Sequence, residues 1–202
     1  MIDPATAEDA DTDLVEALRR DDPDAADRLL DRYGDVVYRL AMRITGVSED
    51  ADDVTERVLL TVTRNVDTFT GESPFATWVA RLTAQAASET LAARAGHDAN
   101  DIALDDVLPA LDADGEHFDL VADWSKVVDE PSRQREISRV VAGAIDALPP
   151  DYRTALVLHD VEGLSDPDIA ETLGISPLVV KSRVHRSRLL VRMHLADYLH
   201  AA

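Results

Sequence analysis

The sequence predicts an all-α protein: two small helical domains joined by an acidic linker, the C-terminal one a helix-turn-helix. Three observations predict it. Apolar residues recur at three- and four-residue spacing on both sides of the chain's middle. Between them, residues 96–135 lose that period and are crowded with carboxylates. Residues 165–195 then carry a cap, a glycine turn, a second cap and a cationic run without an acid. The domains are therefore set at 1–95 and 136–202, with 96–135 as the linker.

Bulk composition narrows the function classes. The chain has 202 residues, enough for one large domain or two small ones. Hydrophobic residues make up 46% and aromatics 4%, which suits helical cores of Leu, Val, Ile and Ala. There is no cysteine, so disulfide and thiolate chemistry are excluded, in keeping with a reducing cytoplasm. The start, MIDPATAEDADTD, has no apolar core of a secretory signal. No apolar run approaches the roughly 20 residues that span a bilayer, so no membrane insertion is expected. The formal charge of -20 argues against adhesion of the whole chain to nucleic acid. Any DNA contact must be local. The acidity itself fits solubility, salty surroundings or attraction to a basic protein surface.

In the first domain, Leu14, Ala17 and Leu18 form one amphipathic turn, interrupted by Asp21, Asp22 and Pro23. Ala26, Leu29, Leu30, Tyr33, Val36, Val37, Leu40 and Ile44 mark a buried helix face that Gly46 closes. Ser48 is expected to cap the next helix, whose stripe is Ala51, Val54, Val58 and Val62. Residues 70–74, TGESP, make a turn, and Phe75, Trp78, Val79 and Leu82 begin a further helix with Trp78 in the core. In the linker, Trp124 is a candidate docking anchor. Beyond it, Val140, Val141, Ala144, Ile145 and Leu148 mark a helix ended by Pro149-Pro150, and Tyr152, Ala155, Leu156 and Leu158 mark the next, which stops near Gly163.

The helix-turn-helix follows. Ser165 is an N-cap with Asp168 three residues on, close to a capping box. Gly174 supplies the turn, Ile175 plugs the angle between the helices, Ser176 caps the second helix and Pro177 starts it. Val180, Val184, Ser187 and Val191 should face the core. Lys181, His185, Arg188 and Arg192 lie on an adjoining stripe, with Arg183 and Arg186 on the other flank. An ordinary solvated helix face mixes signs to gain i,i+4 pairs. From Ser176 to Leu195 this one is positive only, as phosphate contact requires.

Other chemistries find no support. His97, His117, His159, His185, His194 and His200 show no metal-ligand spacing, and no phosphate loop or dinucleotide fingerprint is present. The Asp112-Ala113-Asp114-Gly115 stretch lacks the later ligands of a calcium loop. No catalytic residues, metal or cofactor are assigned.

The stretch LPPDYRTALVLHDVEGLSDPDIAETLGIS, continued by VKSRVHRSR, closely resembles region 4 of the extracytoplasmic-function (ECF) sigma factors of bacterial RNA polymerase, a branch of the sigma-70 type. YGDVVYRLAMRITGVSEDADDV and FTGESPFATWVARL are similar to region 2 of the same family. The resemblance implies an alternative sigma factor that directs core polymerase to promoters. Region 2 would bind the clamp helices through Asp52, Asp53 and Glu56, and open the −10 element with Thr77, Trp78, Arg81 and Gln85. Region 4 would touch the flap and read the −35 element with Ser176, Leu178, Val179, Lys181, Ser182, Arg183, Arg186 and Arg188. Partners so implied are core RNA polymerase, promoter DNA and an anti-sigma factor.

This chain departs from the family pattern at several positions. Glu56-Arg57 stands where Gln-Glu is usual, Leu59 and Thr63 where aromatics are usual, Ala84-Gln85 where Arg-Asn is usual, and Leu178-Val179 where Gly-Thr is usual. With few cations after Arg81, region 2 should hold DNA weakly. Two other readings are a sigma-like DNA-binding regulator that does not initiate, and an acidic protein-interaction module. The acidic linker can also compete with DNA for the cationic helix in the free chain. Deleting about 98–130 is then expected to raise DNA affinity at low salt; a filter-binding titration showing no change removes the idea.

Overall fold

The structure, a computed structural model, describes residues 4–95 and 131–201. Most of the expected linker, with Trp124, Asp112–Gly115, His97 and His117, lies outside the described residues, as does the side chain of His200. Every regular element among the described residues is helical: α1 Pro4–Arg19, α2 Ala25–Thr45, α3 Ser48–Asn65, α4 Phe75–Ala95, α5 Pro131–Asp146, α6 Pro150–Leu156, α7 Asp166–Leu173 and α8 Pro177–Ala201. Helix α5 begins inside the segment expected as linker.

Helix α1 is longer than the single turn read from Leu14, and starts at a proline, whose missing N–H is no loss there. Its Leu14, Val15, Ala17 and Leu18 are buried, and Arg19 Nη2 donates to the Phe69 carbonyl at 2.6 Å. Of the expected α2 face, Leu29, Tyr33, Val37, Leu40 and Ile44 are buried, with Ala41 beside them, but Ala26, Leu30 and Val36 are exposed because the packed stripe is narrower than the apolar one; Gly46 ends the helix in the left-handed region at φ 73°. The expected Ser48 cap is corrected. Val47, extended at φ -132°, holds the cap position without a side-chain bond, and Ser48 is already helical. Phe75 at the start of α4 meets Tyr33 and Phe69 edge-on, each at 5.3 Å, and Trp78 at 5.6 Å. Trp78 is half-buried on the edge of this cluster rather than enclosed in the core.

In the second group of helices, α6 runs directly into one wider π-turn, Val157–Val161. Neither the turn nor its consequence is written in the local spacing. The two groups share a continuous core, with α4 packed on α7 and α6, and α2 on α6.

A buried side chain also bonds across them. Arg153 of α6 is 7% exposed. Its Nη2 donates to the Ile44 carbonyl at the end of α2 (2.7 Å), and its Nη1 to the Asp146 carbonyl at the end of α5 (3.1 Å). Helix C-termini leave carbonyls unpaired and carry partial negative charge, so one guanidinium serves both. Burial lowers its pKa, while Asp146 opposes that shift.

Gly46 lies against this group: a Cβ there would stand 3.1 Å from Arg153 Nη1. Gly174 has a similar φ of 66° but open space around it. Alanine at either position pays about 1 kcal/mol for a left-handed backbone. Gly46→Ala must also push the guanidinium back by a few tenths of an ångström against its two carbonyls, so it should lower the urea midpoint more than Gly174→Ala. Equal losses would mean that the Arg153 contact carries no weight.

Candidate nucleic-acid interface

The helix-turn-helix is built from local bonds. Ser165 Oγ accepts from the Asp168 N–H at 3.4 Å and lies 2.6 Å from Asp168 Oδ2. Asp168 therefore answers the Ser165 hydroxyl rather than reaching back to its backbone N–H as a capping box would. Gly174 turns the chain at φ 66°, and the Ile175 N–H bonds the Ala170 carbonyl at 3.0 Å. Ser176 Oγ then accepts from the Val179 N–H at 3.3 Å, which caps α8.

Helix α8 packs with Val180, Val184 and Ser187 buried and Val191 partly so, as its spacing predicts. Ser187 Oγ sits 3.0 Å from the Tyr152 carbonyl and 2.7 Å from that of Arg183. On the far side Leu178, Lys181, His185 and Arg192 are exposed and Ser182 is half-buried. Pro177, Leu178 and Val179 form an exposed apolar tip at the turn that enters a groove first.

The flanking arginines are not bare. Arg183, half-buried, is paired with Asp151 of α6. Arg188 donates from Nε to Asp160 Oδ2 at 2.9 Å, and the π-turn brings Asp160 there. Two of the cations expected to meet DNA, Arg183 and Arg188, are thus paired with carboxylates of neighbouring elements. Arg186 is half-buried and also engaged. Such surface pairs are weak, and a phosphate can take the carboxylate's place. The Arg188 hydrogen bond, with help from His159, holds Asp160 below the usual carboxylate range despite some burial.

Helix α4 carries the expected −10 set. Thr77 and Trp78 are half-buried, and exposed Gln85 donates to Glu89 at 3.2 Å. Arg81 is paired across the two helix groups with Asp168 of α7. Arg94, the remaining cation of α4, is paired with Asp50 of α3. Both cations of α4 are thus held by carboxylates. Asp168 sits below the ordinary carboxylate range, first through Ser165 and then through Arg81.

On α3, Asp52, Asp53 and Glu56 are exposed opposite the buried Ala51, Val54 and Val58. Arg57, the charge reversal in this helix, turns sideways: its Nη2 donates to Thr90 Oγ1 at 3.0 Å and its Nη1 lies 3.9 Å from Glu89. The acidic face therefore survives the substitution. Among the described residues no group of three or more His, Cys, Asp or Glu could hold a metal, and no helix is long and apolar enough to cross a membrane.

Two family models match this chain in order: Sigma-70 region 2 over residues 29–97 and Sigma-70 region 4 over 138–191. The ECF RNA polymerase sigma-E factor of Haemophilus influenzae is 33% identical over 184 residues, covering 90% of this chain and 93% of that protein. The chain belongs to the ECF sigma factors. The ECF sigma factor SigE of Mycolicibacterium smegmatis is 33% identical over 172 residues, covering 85% of this chain, which spans 62% of that longer relative. The fold also resembles the sigma factor RpoE in its complex with the anti-sigma factor NepR from Bartonella quintana, with TM-score 0.55, 19% identity, 84% of this chain and 96% of that one. CnrH in complex with the cytosolic domain of CnrY gives TM-score 0.53 at 21% identity, over 95% and 98% of the two chains. Sigma factors direct RNA polymerase to promoters and are not enzymes.

Sequence reasoning found the faces of this sigma factor but missed Arg153, Asp151 and Asp160. The carboxylates lie 32 and 28 residues from the arginines they meet, so no local spacing announces them. A carboxylate with a depressed pKa contributes stability above its ordinary range and loses it as pH falls through the lowered value. Carboxyl NMR titration should therefore show both Asp160 and Asp168 ionising unusually low. Arg188→Gln should return Asp160 toward its ordinary value and leave Asp168 in place. Movement of both together would contradict separate pairing.

Proposed function

We propose that this sigma factor works in the cytoplasm as two DNA-facing domains, 1–95 and 136–202, that act only with core polymerase. The exposed first turn of α8, set in a helix with no acid from Ser176 to Leu195, is the observation that carries the −35 reading. Ser176, Leu178, Val179, Lys181 and Ser182 meet the major groove, and Arg183, Arg186 and Arg188 exchange their present contacts for phosphates. Asp52, Asp53 and Glu56 meet the polymerase clamp helices, and the second domain meets the flap. Thr77, Trp78, Arg81 and Gln85 act at the −10 element. Arg81 must leave Asp168 before it meets DNA, so the two helix groups separate on the way to an open promoter. The structural relatives in complex with NepR and CnrY support an anti-sigma partner for this chain as well.

A regulator that binds DNA without initiating is the second reading, favoured by the tethering of both α4 cations, Arg81 and Arg94. Run-off transcription with cognate core enzyme decides between them. Transcripts from a promoter with defined −35 and −10 elements support initiation; DNA binding without transcript supports the regulator. Reversing charge at Asp52, Asp53 and Glu56 should abolish co-purification with core while leaving binding to a −35 duplex. Lys181→Ala should weaken that duplex binding roughly tenfold, as loss of one base or phosphate contact does.

A further inference from the structure

Leu178 is 76% exposed and its neighbour Val179 39%, which makes the first turn of α8 the most exposed large apolar site among the described residues. Neither is needed to form the helix. Ser176 caps it, Pro177 starts it, and its packed side is supplied by Val180, Val184, Leu190 and Val191. Leu178 stands two residues before Val180, which at the helical repeat places it nearly opposite the packed face. Lone surface leucines are common and carry no meaning. This one is half of an adjacent apolar pair, and one turn further along the helix stand exposed Lys181 and half-buried Ser182.

That surrounding selects the occupant. An apolar tip on a helix with no acid from Ser176 to Leu195 suits a polyanion that also offers an apolar spot. The major groove of DNA offers one such feature, the C5-methyl group of thymine. A branched apolar side chain covers a methyl group and makes no hydrogen bond to a guanine or adenine edge. We infer that Leu178 and Val179 read thymine methyl groups at one or two adjacent positions of the −35 duplex. The inference rests on the −35 role proposed above and adds the chemistry that α8 recognises at its leading turn. It requires no rearrangement, because this turn is exposed while Arg81 and Arg94 of α4 are held.

The test uses the full chain assembled with core polymerase. A duplex pool randomised across the −35 element is selected for binding, and each enriched thymine is then replaced by deoxyuridine, which removes only the methyl group. The wild-type complex should lose about fourfold in affinity at one or two adjacent positions, the value of one buried methyl. Leu178→Ala, an exposed change to a strong helix former, should lose about fourfold on thymine and nothing further on deoxyuridine. Val179→Ala should do the same at the neighbouring position. A consensus without thymine, indifference to deoxyuridine, or a Leu178→Ala complex as sensitive as wild type would each overturn the inference. So would a variant that binds duplex normally but core polymerase poorly, since the tip would then be a protein contact. A pool that returns no preferred sequence overturns the −35 role itself, and the inference with it.

Discussion

The closed arrangement of this sigma factor depends on one buried guanidinium. Arg153 takes carbonyls at the C-terminal ends of α2 and α5, and Gly46 leaves room for it. A buried cation is costly unless its donors are used. Its Nε has no partner, so the two carbonyls carry the compensation. Withdrawing either helix end would leave a desolvated charge facing an apolar core. The contact therefore favours two states, closed with both bonds made or open with the guanidinium in water, over anything between.

Around this anchor the surface charges follow one pattern. Cations of the helices expected to meet DNA are matched to carboxylates of neighbouring elements: Arg81 to Asp168, Arg94 to Asp50, Arg183 to Asp151, Arg188 to Asp160. In a chain of formal charge -20, such pairing is what Coulomb attraction produces when acids outnumber bases. Each pair is weak because water competes with it. On the proposed reading, DNA binding is an exchange of carboxylate for phosphate, which salt opposes on both sides. The two helices proposed to meet DNA differ in how many of their cations are already paired. Helix α8 presents Leu178, Val179 and Lys181 at its exposed surface, whereas Arg81 of α4 is paired with Asp168 of α7.

Much of the fold was legible in the chain because its signals are local. The faces of α2, α3 and α8 follow from apolar spacing within each helix, and Gly46, Gly163 and Gly174 mark ends that need a positive φ. Ser165 and Ser176 cap as their positions suggest. The failure at Ser48 has the same physical root. A cap needs an extended backbone as well as a hydroxyl, and the turn after Gly46 gives the extended conformation to Val47 instead.

The sequence by itself determined the helical elements, the helix-turn-helix, the family, and the exposed edge of α8, because each depends on residues within a few positions of one another. Tertiary structure decided which charges are free, which helix ends share Arg153, and that Arg57 lies harmlessly along α4 rather than spoiling the acidic face of α3. The Arg57–Thr90 and Arg153–Ile44 contacts join residues 33 and 109 positions apart. Periodicity says which way a side chain points from its own helix; only packing says what stands opposite.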